Sequence, residues 1–331
     1  NGSLGDGTTS NRSRPVSVAG IIQNVQTIST GDSHSCVLTQ PNGIKCWGYN
    51  KYGQLGDGIT TDRPTPADVT SLTTGVLSIS LGSNHSCALI DRGGVVCWGM
   101  NNWRQVGVSA LENQVTAVDV TNLYSGVTAI SAGGLHTCAL TNTGGVKCWG
   151  FNTFGQLGVT NNYSTNTWRS TPVDVTGLTS GVSAISAGGY HTCAVTIAGG
   201  VACWGSNNWR QLGGNAEGDQ FAPIYASGLT SGVTAISAGG QHTCALTAEG
   251  GVKCWGYNGR GQLGNGSIEF AYVPTNVNGL STGVVSLVCG ENHTCAVTQL
   301  GRIKYWGDNT YGQLGSDTVN TFSTVPVEVT E

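Results

Sequence analysis

Apolar and small residues alternate with polar ones along this chain in runs of four to six, and glycine closes nearly every run. Residues 127–132, 136–141 and 146–149 show the pattern, separated by Gly133-Gly134 and Gly144-Gly145 and followed by Gly155 to Gly158. Short alternating runs rich in β-branched residues, with turn-formers between them, predict β-strands. No stretch of ten or more residues keeps an apolar period of 3.6, so no helix is expected. In this unit residues 127–132 form strand a, 136–141 strand b and 146–149 strand c. A fourth strand, d, runs through Pro172 to Val175.

The unit recurs. His-x-Cys begins at His34, His85, His136, His191, His242 and His293, with spacings of 51, 51, 55, 51 and 51. Trp47, Trp98, Trp149, Trp204, Trp255 and Trp306, each followed by Gly, keep the same register. A four-stranded sheet repeated at this period cannot bury both faces alone, but neighbouring copies can cover it. The expectation is all-β: a single β-propeller domain over 1–331 with four-stranded antiparallel blades. The blades are placed at about 25–69, 76–120, 127–175, 182–226, 233–277 and 284–329. Prolines at the start of strand d (Pro15, Pro66, Pro172, Pro223, Pro274, Pro326) fit an outer edge, where a missing N–H costs little. Residues 1–20 match the end of a unit and read as an extra outer strand or a closure segment. Six complete blades are the reading of the chain as written; seven follow if it is truncated.

Gly239 to Leu246 (Gly-Gly-x-His-Thr-Cys-Ala-Leu) and Trp255 to Gly264 (Trp-Gly-x-Asn-x-x-Gly-Gln-Leu-Gly) carry a family resemblance. They resemble the regulator-of-chromosome-condensation repeat, and the similarity extends over essentially the whole chain. The resemblance implies a propeller, usually of seven blades. It implies little about activity, because that fold carries unrelated functions. Members include a nucleotide-exchange factor, a plant ultraviolet receptor and a bacterial β-lactamase inhibitor. The cysteines depart from the intracellular members and point to a cysteine-rich, bacterial-type secreted variant.

Ten of the twelve cysteines form C-x9-C pairs: Cys36/Cys46, Cys87/Cys97, Cys138/Cys148, Cys193/Cys203 and Cys244/Cys254. Each pair spans strands b and c, and directly opposed antiparallel residues lie close enough for a disulfide. In the sixth unit Tyr305 stands where the second Cys belongs, and Cys289 appears at the end of strand a. The even count suggests Cys289–Cys295 as a sixth bridge. Bridges imply an oxidising compartment, hence a secreted or cell-surface protein. The alternative is twelve reduced cysteines acting as small apolar groups.

The net charge is −4, and five Lys and nine Arg are scattered without a cluster or basic tail. Nucleic acid is therefore not an expected partner, and no apolar run is long enough to span a membrane as a helix. The first residues show no leader pattern, so a targeting peptide is absent or removed. His-x-Cys with its C-x9-C partner could form a three-ligand zinc site, but six identical metal sites would be odd and the sixth has lost a ligand. A repeated Cys–His nucleophile is set aside as architecture for the same reason. The histidines are expected to bond backbone groups between blades, and the tryptophans to be core. No cofactor, metal or catalytic activity is expected.

Where the repeats disagree, a ligand is free to act. The pattern Asn-x-[Tyr/Phe]-Gly-Gln-Leu-Gly changes to Asn-Trp-Arg-Gln at Trp103-Arg104 and at Trp209-Arg210. Four residues are inserted in the third unit, in a connection holding Tyr163, Trp168 and Arg169, and Tyr190 precedes the repeat His of the fourth. Trp, Tyr and Arg dominate interface hot spots. The sharper reading is a recognition patch of Trp103, Arg104, Trp168, Arg169, Tyr190, Trp209 and Arg210; the plainer one packs both tryptophans as Tyr52, Phe154 and Tyr311 pack. The function expected is an extracellular, non-catalytic scaffold binding a protein or glycan. The alternatives are a structural subunit that self-assembles through the spare terminal strand, and a secreted enzyme inhibitor.

Overall fold

The alternating runs become twenty-four antiparallel strands, and no helix, in a computed structural model that describes residues 1–21, 24–160, 167–316 and 321–329. The strands form six four-stranded sheets, each ordered a-b-c-d along the chain, the six-bladed form of the β-propeller class.

The chain divides into two compact units, the first made of residues 1–10, 16–153 and 159–180, the second of 11–15, 154–158 and 181–331. The first holds three blades. They are β1 (Val25–Thr30), β2 (His34–Thr39), β3 (Gly43–Gly48) and β4 (Arg63–Asp68); β5 (Val76–Leu81), β6 (His85–Ile90), β7 (Val95–Gly99) and β8 (Gln114–Asp119); and β9 (Val127–Ala132), β10 (His136–Thr141), β11 (Val146–Phe151) and β12 (Trp168–Asp174). The second unit holds the other three. They are β13 (Val182–Ala187), β14 (His191–Thr196), β15 (Val201–Gly205) and β16 (Gln220–Tyr225); β17 (Val233–Ala238), β18 (His242–Thr247), β19 (Val252–Gly256) and β20 (Ala271–Asn276); and β21 (Val284–Cys289), β22 (His293–Thr298), β23 (Ile303–Asp308) and β24 (Phe322–Glu328).

Strand alternation decides what each sheet shows its neighbours. In β10 and β11, Cys138 opposes Cys148 and Leu140 opposes Val146, while Thr137 opposes Trp149. Cysteines and tryptophans therefore leave the sheet on opposite faces. Inside the first unit the bridge of one blade packs against the tryptophan of the next: Cys36, Leu38 and Cys46 cluster with Trp98, and Cys87, Leu89 and Cys97 with Trp149. The second unit repeats this with Cys193, Cys203 and Trp255, then Cys244, Cys254 and Trp306. The six tryptophans of the repeated Trp-Gly pairs are fully buried. A buried indole removes about 200 Å² from water, roughly 5 kcal/mol before entropy is counted, so the stacked pair of blades is the stable unit.

Polar groups between blades are wired by one repeated relay. The Trp98 indole N–H and the Ser86 hydroxyl both donate to the Gln54 carbonyl at 2.9 Å, and His34 Nε2 meets Ser86 Oγ at 2.9 Å. Because Ser86 spends its proton on Gln54, His34 Nε2–H is the donor. The histidines thus bond hydroxyls of the next blade and through them reach a carbonyl in the c–d loop of their own blade, rather than bonding backbone groups between blades directly as expected from sequence.

Two expectations are corrected. Residues 1–21 form no strand. Pro15 to Val18, where the outer strand was expected, pair with no sheet, although residues 12 and 13 run past Gly312, where a Cβ would lie 2.4 Å from the Arg12 carbonyl. Residues 1–7 instead repeat the turn at Gly53–Gly58: the Ser3 carbonyl accepts from Trp47 Nε1 at 3.0 Å and from Ser35 at 3.1 Å, as Gln54 does one blade on. The spare outer strand is therefore absent, each sheet supplies its own strand d, and of the two readings of residues 1–20 only the closure segment is left.

Disulfides join the five C-x9-C pairs, each with a Cα separation of 4.1 Å. Cys289 and Cys295 are not bonded to each other. Register explains why: Cys295 opposes Val288, and Cys289 opposes Thr294. Residues one step out of register leave a sheet on opposite faces, so these thiols point apart.

Candidate functional site

The loop from strand c to strand d is where the repeats exchange glycine and a single ring for a Trp-Arg pair, and its backbone is fixed before any ligand arrives. Asn101 Oδ1 accepts the Val106 N–H at 3.1 Å, and Gln105 Oε1 accepts the Trp103 N–H at 3.0 Å. Asn207 and Gln211 do the same for Leu212 and Trp209. These bonds account for the invariance of Asn and Gln in the loop motif across the units.

Within this frame, two arginines hold an unusual backbone. Arg104 has φ 66° and Arg210 φ 63°, whereas the equivalent positions in the other blades are Gly53, Gly155, Gly261 and Gly312, with φ between 76° and 85°. Left-handed backbone costs a residue bearing a Cβ about 1–2 kcal/mol. At the glycines the next segment also presses close. A Cβ on Gly53 would lie 2.7 Å from Val115, and one on Gly261 2.6 Å from the Ser323 carbonyl. An arginine there requires both strain and a strand d that stands back.

In the first unit the outcome is a compact group. Trp103 meets Phe151 edge-on at 4.9 Å, and the Arg104 guanidinium lies 5.0 Å from the Trp168 ring. Arg104 is only 7% exposed, so it supports Trp168 rather than facing solvent. Trp168 and Arg169 are not loop residues: they open β12, opposite Phe151 and Gly150. Strand d of that blade therefore begins four residues before Pro172. Tyr163 lies outside the described residues.

In the second unit the matching group is more open. Trp209 meets Tyr257 at 4.8 Å and Phe270 at 6.3 Å, Phe270 lies 5.2 Å from Tyr272, and the Arg210 guanidinium sits 5.2 Å from the Tyr272 ring. Trp209 is 37% and Tyr272 53% exposed. Arg210 also donates to the Ala216 carbonyl at 2.9 Å and faces Glu217 at 3.6 Å. Tyr190 belongs to neither group and stacks edge-on with Phe154 at 5.3 Å.

The seven residues singled out from sequence thus fall into a Trp103–Arg104–Trp168–Arg169 group, a Trp209–Arg210 group and a separate Tyr190. Sequence reasoning missed Phe151, Tyr257, Phe270 and Tyr272. A signal for two of them was present: each variant tryptophan is followed 48 residues later by the aromatic after Trp-Gly, Phe151 for Trp103 and Tyr257 for Trp209. Among the described residues one group of metal-ligating type occurs, His242, Cys244 and Cys289.

Known proteins share both the repeat and its fold. The chain is 30% identical over 323 residues to the ultraviolet-B receptor UVR8 of Arabidopsis thaliana, covering 95% of this chain and 72% of that protein. It superposes on human WBSCR16 with a TM-score of 0.83 at 26% identity, covering 94% and 83% of the two chains. Yeast RCC1 (Prp20), in a structure where it is bound by Kap60, gives a TM-score of 0.82 at 23% identity over 93% of this chain and 75% of that one, a likeness of fold alone. A family model described as the RCC1-like domain matches residues 1–331, and the chain belongs to that family.

Proposed function

We propose that this chain is a non-catalytic, protein-binding propeller of an oxidising, extracytosolic compartment, with the Trp209–Arg210 group as a recognition hot spot. The observation that carries this reading is the substitution of arginine for glycine at two left-handed positions. Strain kept at a surface loop is a mark of function, and here it places a guanidinium beside a half-exposed aromatic cluster. Trp, Tyr and Arg are the side chains that anchor protein interfaces, and the bonds from Asn207 and Gln211 hold the loop so that little ordering entropy remains to be lost on binding. A protein partner is also in keeping with the family, since yeast RCC1 is seen bound by Kap60. The five bridges support an oxidising compartment. A structural role through a spare terminal strand loses its basis, because residues 1–21 form none.

The test uses the immobilised chain and a Trp209→Ala/Tyr272→Ala variant, each exposed to the organism's own extracellular fraction, with retained proteins quantified by mass spectrometry. A partner held by the parent chain should drop at least about 30-fold on the variant, the effect of losing one hot spot, with the melting temperature unchanged. Identical retained sets on both chains would refute the assignment.

A further inference from the structure

Cys289 lies at the end of β21, where the other blades carry Thr30, Leu81, Ala132, Ala187 and Ala238. It opposes Thr294, so it points away from Cys295 and toward blade five. Its N–H donates to Ser237 Oγ at 2.9 Å and its Sγ donates to the Ser237 carbonyl at 3.3 Å. There it meets the face of β18 that bears His242 and Cys244, two residues apart and therefore on one side of the strand. A His242 ring nitrogen, Cys244 Sγ and Cys289 Sγ all lie within 4.8 Å of one another. His242 and Cys244 are fully buried.

The imidazole is set up to accept rather than donate. Thr294 Oγ donates to the Gln262 carbonyl at 2.8 Å, so His242 Nε2–H must be the donor in its 3.0 Å contact with Thr294. Nδ1 is then left as a buried lone pair with no hydrogen-bond partner among the described residues. His34, His85 and His191 show the same orphaned nitrogen, but the residue facing each of their bridges from the next blade is not a thiol. A metal-bound histidine characteristically donates its other ring N–H to a neighbouring acceptor, which is the role Thr294 already plays. Two sulfurs and one imidazole nitrogen suit zinc.

We propose that His242, Cys244 and Cys289 form a zinc site that is closed while Cys244 is tied to Cys254 and opens when that bridge is reduced, Cys254 then being a fourth candidate ligand. A dithiol reductant supplies two electrons and two protons to the Cys244–Cys254 bond and leaves as a disulfide. Zinc then displaces the thiol protons to solvent and takes the thiolates. The same cleft would hold either a bridge or a metal, according to whether the chain has met a dithiol reductant, and metal would join blade five to blade six where the bridge joins only two strands of blade five.

A Cys254→Ser chain frees Cys244 without any reductant and leaves the other four bridges in place. Handled without oxygen and mixed with one equivalent of zinc, it should retain one ion per chain by native mass spectrometry. The bridged parent chain should retain less than a tenth of that. So should Cys254→Ser/Cys289→Ala, which gives blade six the alanine that blades three to five carry at this position. Failure of Cys254→Ser to hold zinc, or equal zinc on the double variant, would overturn the proposal. If near-ultraviolet circular dichroism shows Cys254→Ser unfolded, the same comparison is made between Cys254→Ala, which puts no hydroxyl at this fully buried position, and Cys254→Ala/Cys289→Ala. Zinc on the first and not the second supports the site; any other result rejects it.

Discussion

Arg104 and Arg210 show how one residue can be legible in sequence while its cost is not. Comparing repeats reveals arginine in a glycine column, but the sign of φ comes only from the folded loop. The strain makes a direct prediction. Arg210→Gly and Arg210→Ala both remove the guanidinium and its contact with Tyr272, yet only glycine relieves the left-handed backbone. Arg210→Gly should therefore be more stable than Arg210→Ala by about 1 kcal/mol, read from urea midpoints at equal m-values. Equal midpoints would mean that the loop relaxes and stores no strain. Arg104 behaved differently from expectation for a reason of packing. Trp168 opens a strand rather than ending a loop, so its ring covers the guanidinium instead of lying beside it.

At the level of elements, strand b sets the order of stability among blades. In the five bridged blades, strand b is buried along nearly its whole length, as in β2, β6, β10, β14 and β18, whereas β22 alternates between buried and half-exposed residues. Blade six also has no bridge of its own, with Tyr305 opposite Cys295. Burial pushes the Cys289 thiol up to about 12, so the thiol stays protonated at neutral pH. A link across strands b and c is worth about 2–3 kcal/mol in loop-closure models. Amides of β22 and β23 should accordingly exchange with deuterium at least about tenfold faster than those of β18 and β19. Equal protection would show that the bridges add nothing local. The sequence argument for a sixth bridge failed here because it counted cysteines, while a sheet pairs faces.

For the molecule as a whole, the buried relays tie stability to pH. Burial holds His34, His85, His191 and His242 down to about 3. Each is neutral in the folded chain, while in the unfolded chain it takes up a proton below its ordinary value near 6.5. The unfolded state then binds more protons, so the stability these residues contribute is complete above about pH 6.5 and is lost as pH falls from there toward 3. Each contributes up to about 1.4 kcal/mol per pH unit in that window. The unfolding free energy should be level from about pH 8 to 7 and drop steeply between about 6 and 4.5, which urea titrations at fixed temperature can check. A level profile down to about pH 4.5 would contradict buried, neutral imidazoles.

Repeat, strand order, five bridges and the buried tryptophans were all determined by the amino-acid pattern alone, because each depends on spacing within one unit, and a period of two on a strand assigns every side chain to a face. Which aromatics gather around Trp103 and Trp209, that Arg104 is covered, that residues 1–7 stand in for a glycine turn, and that Cys289 faces the Cys244 bridge were decided only by the tertiary structure. Those are contacts between blades, and they depend on how one sheet's face is set against the next, which no pattern within a single repeat encodes.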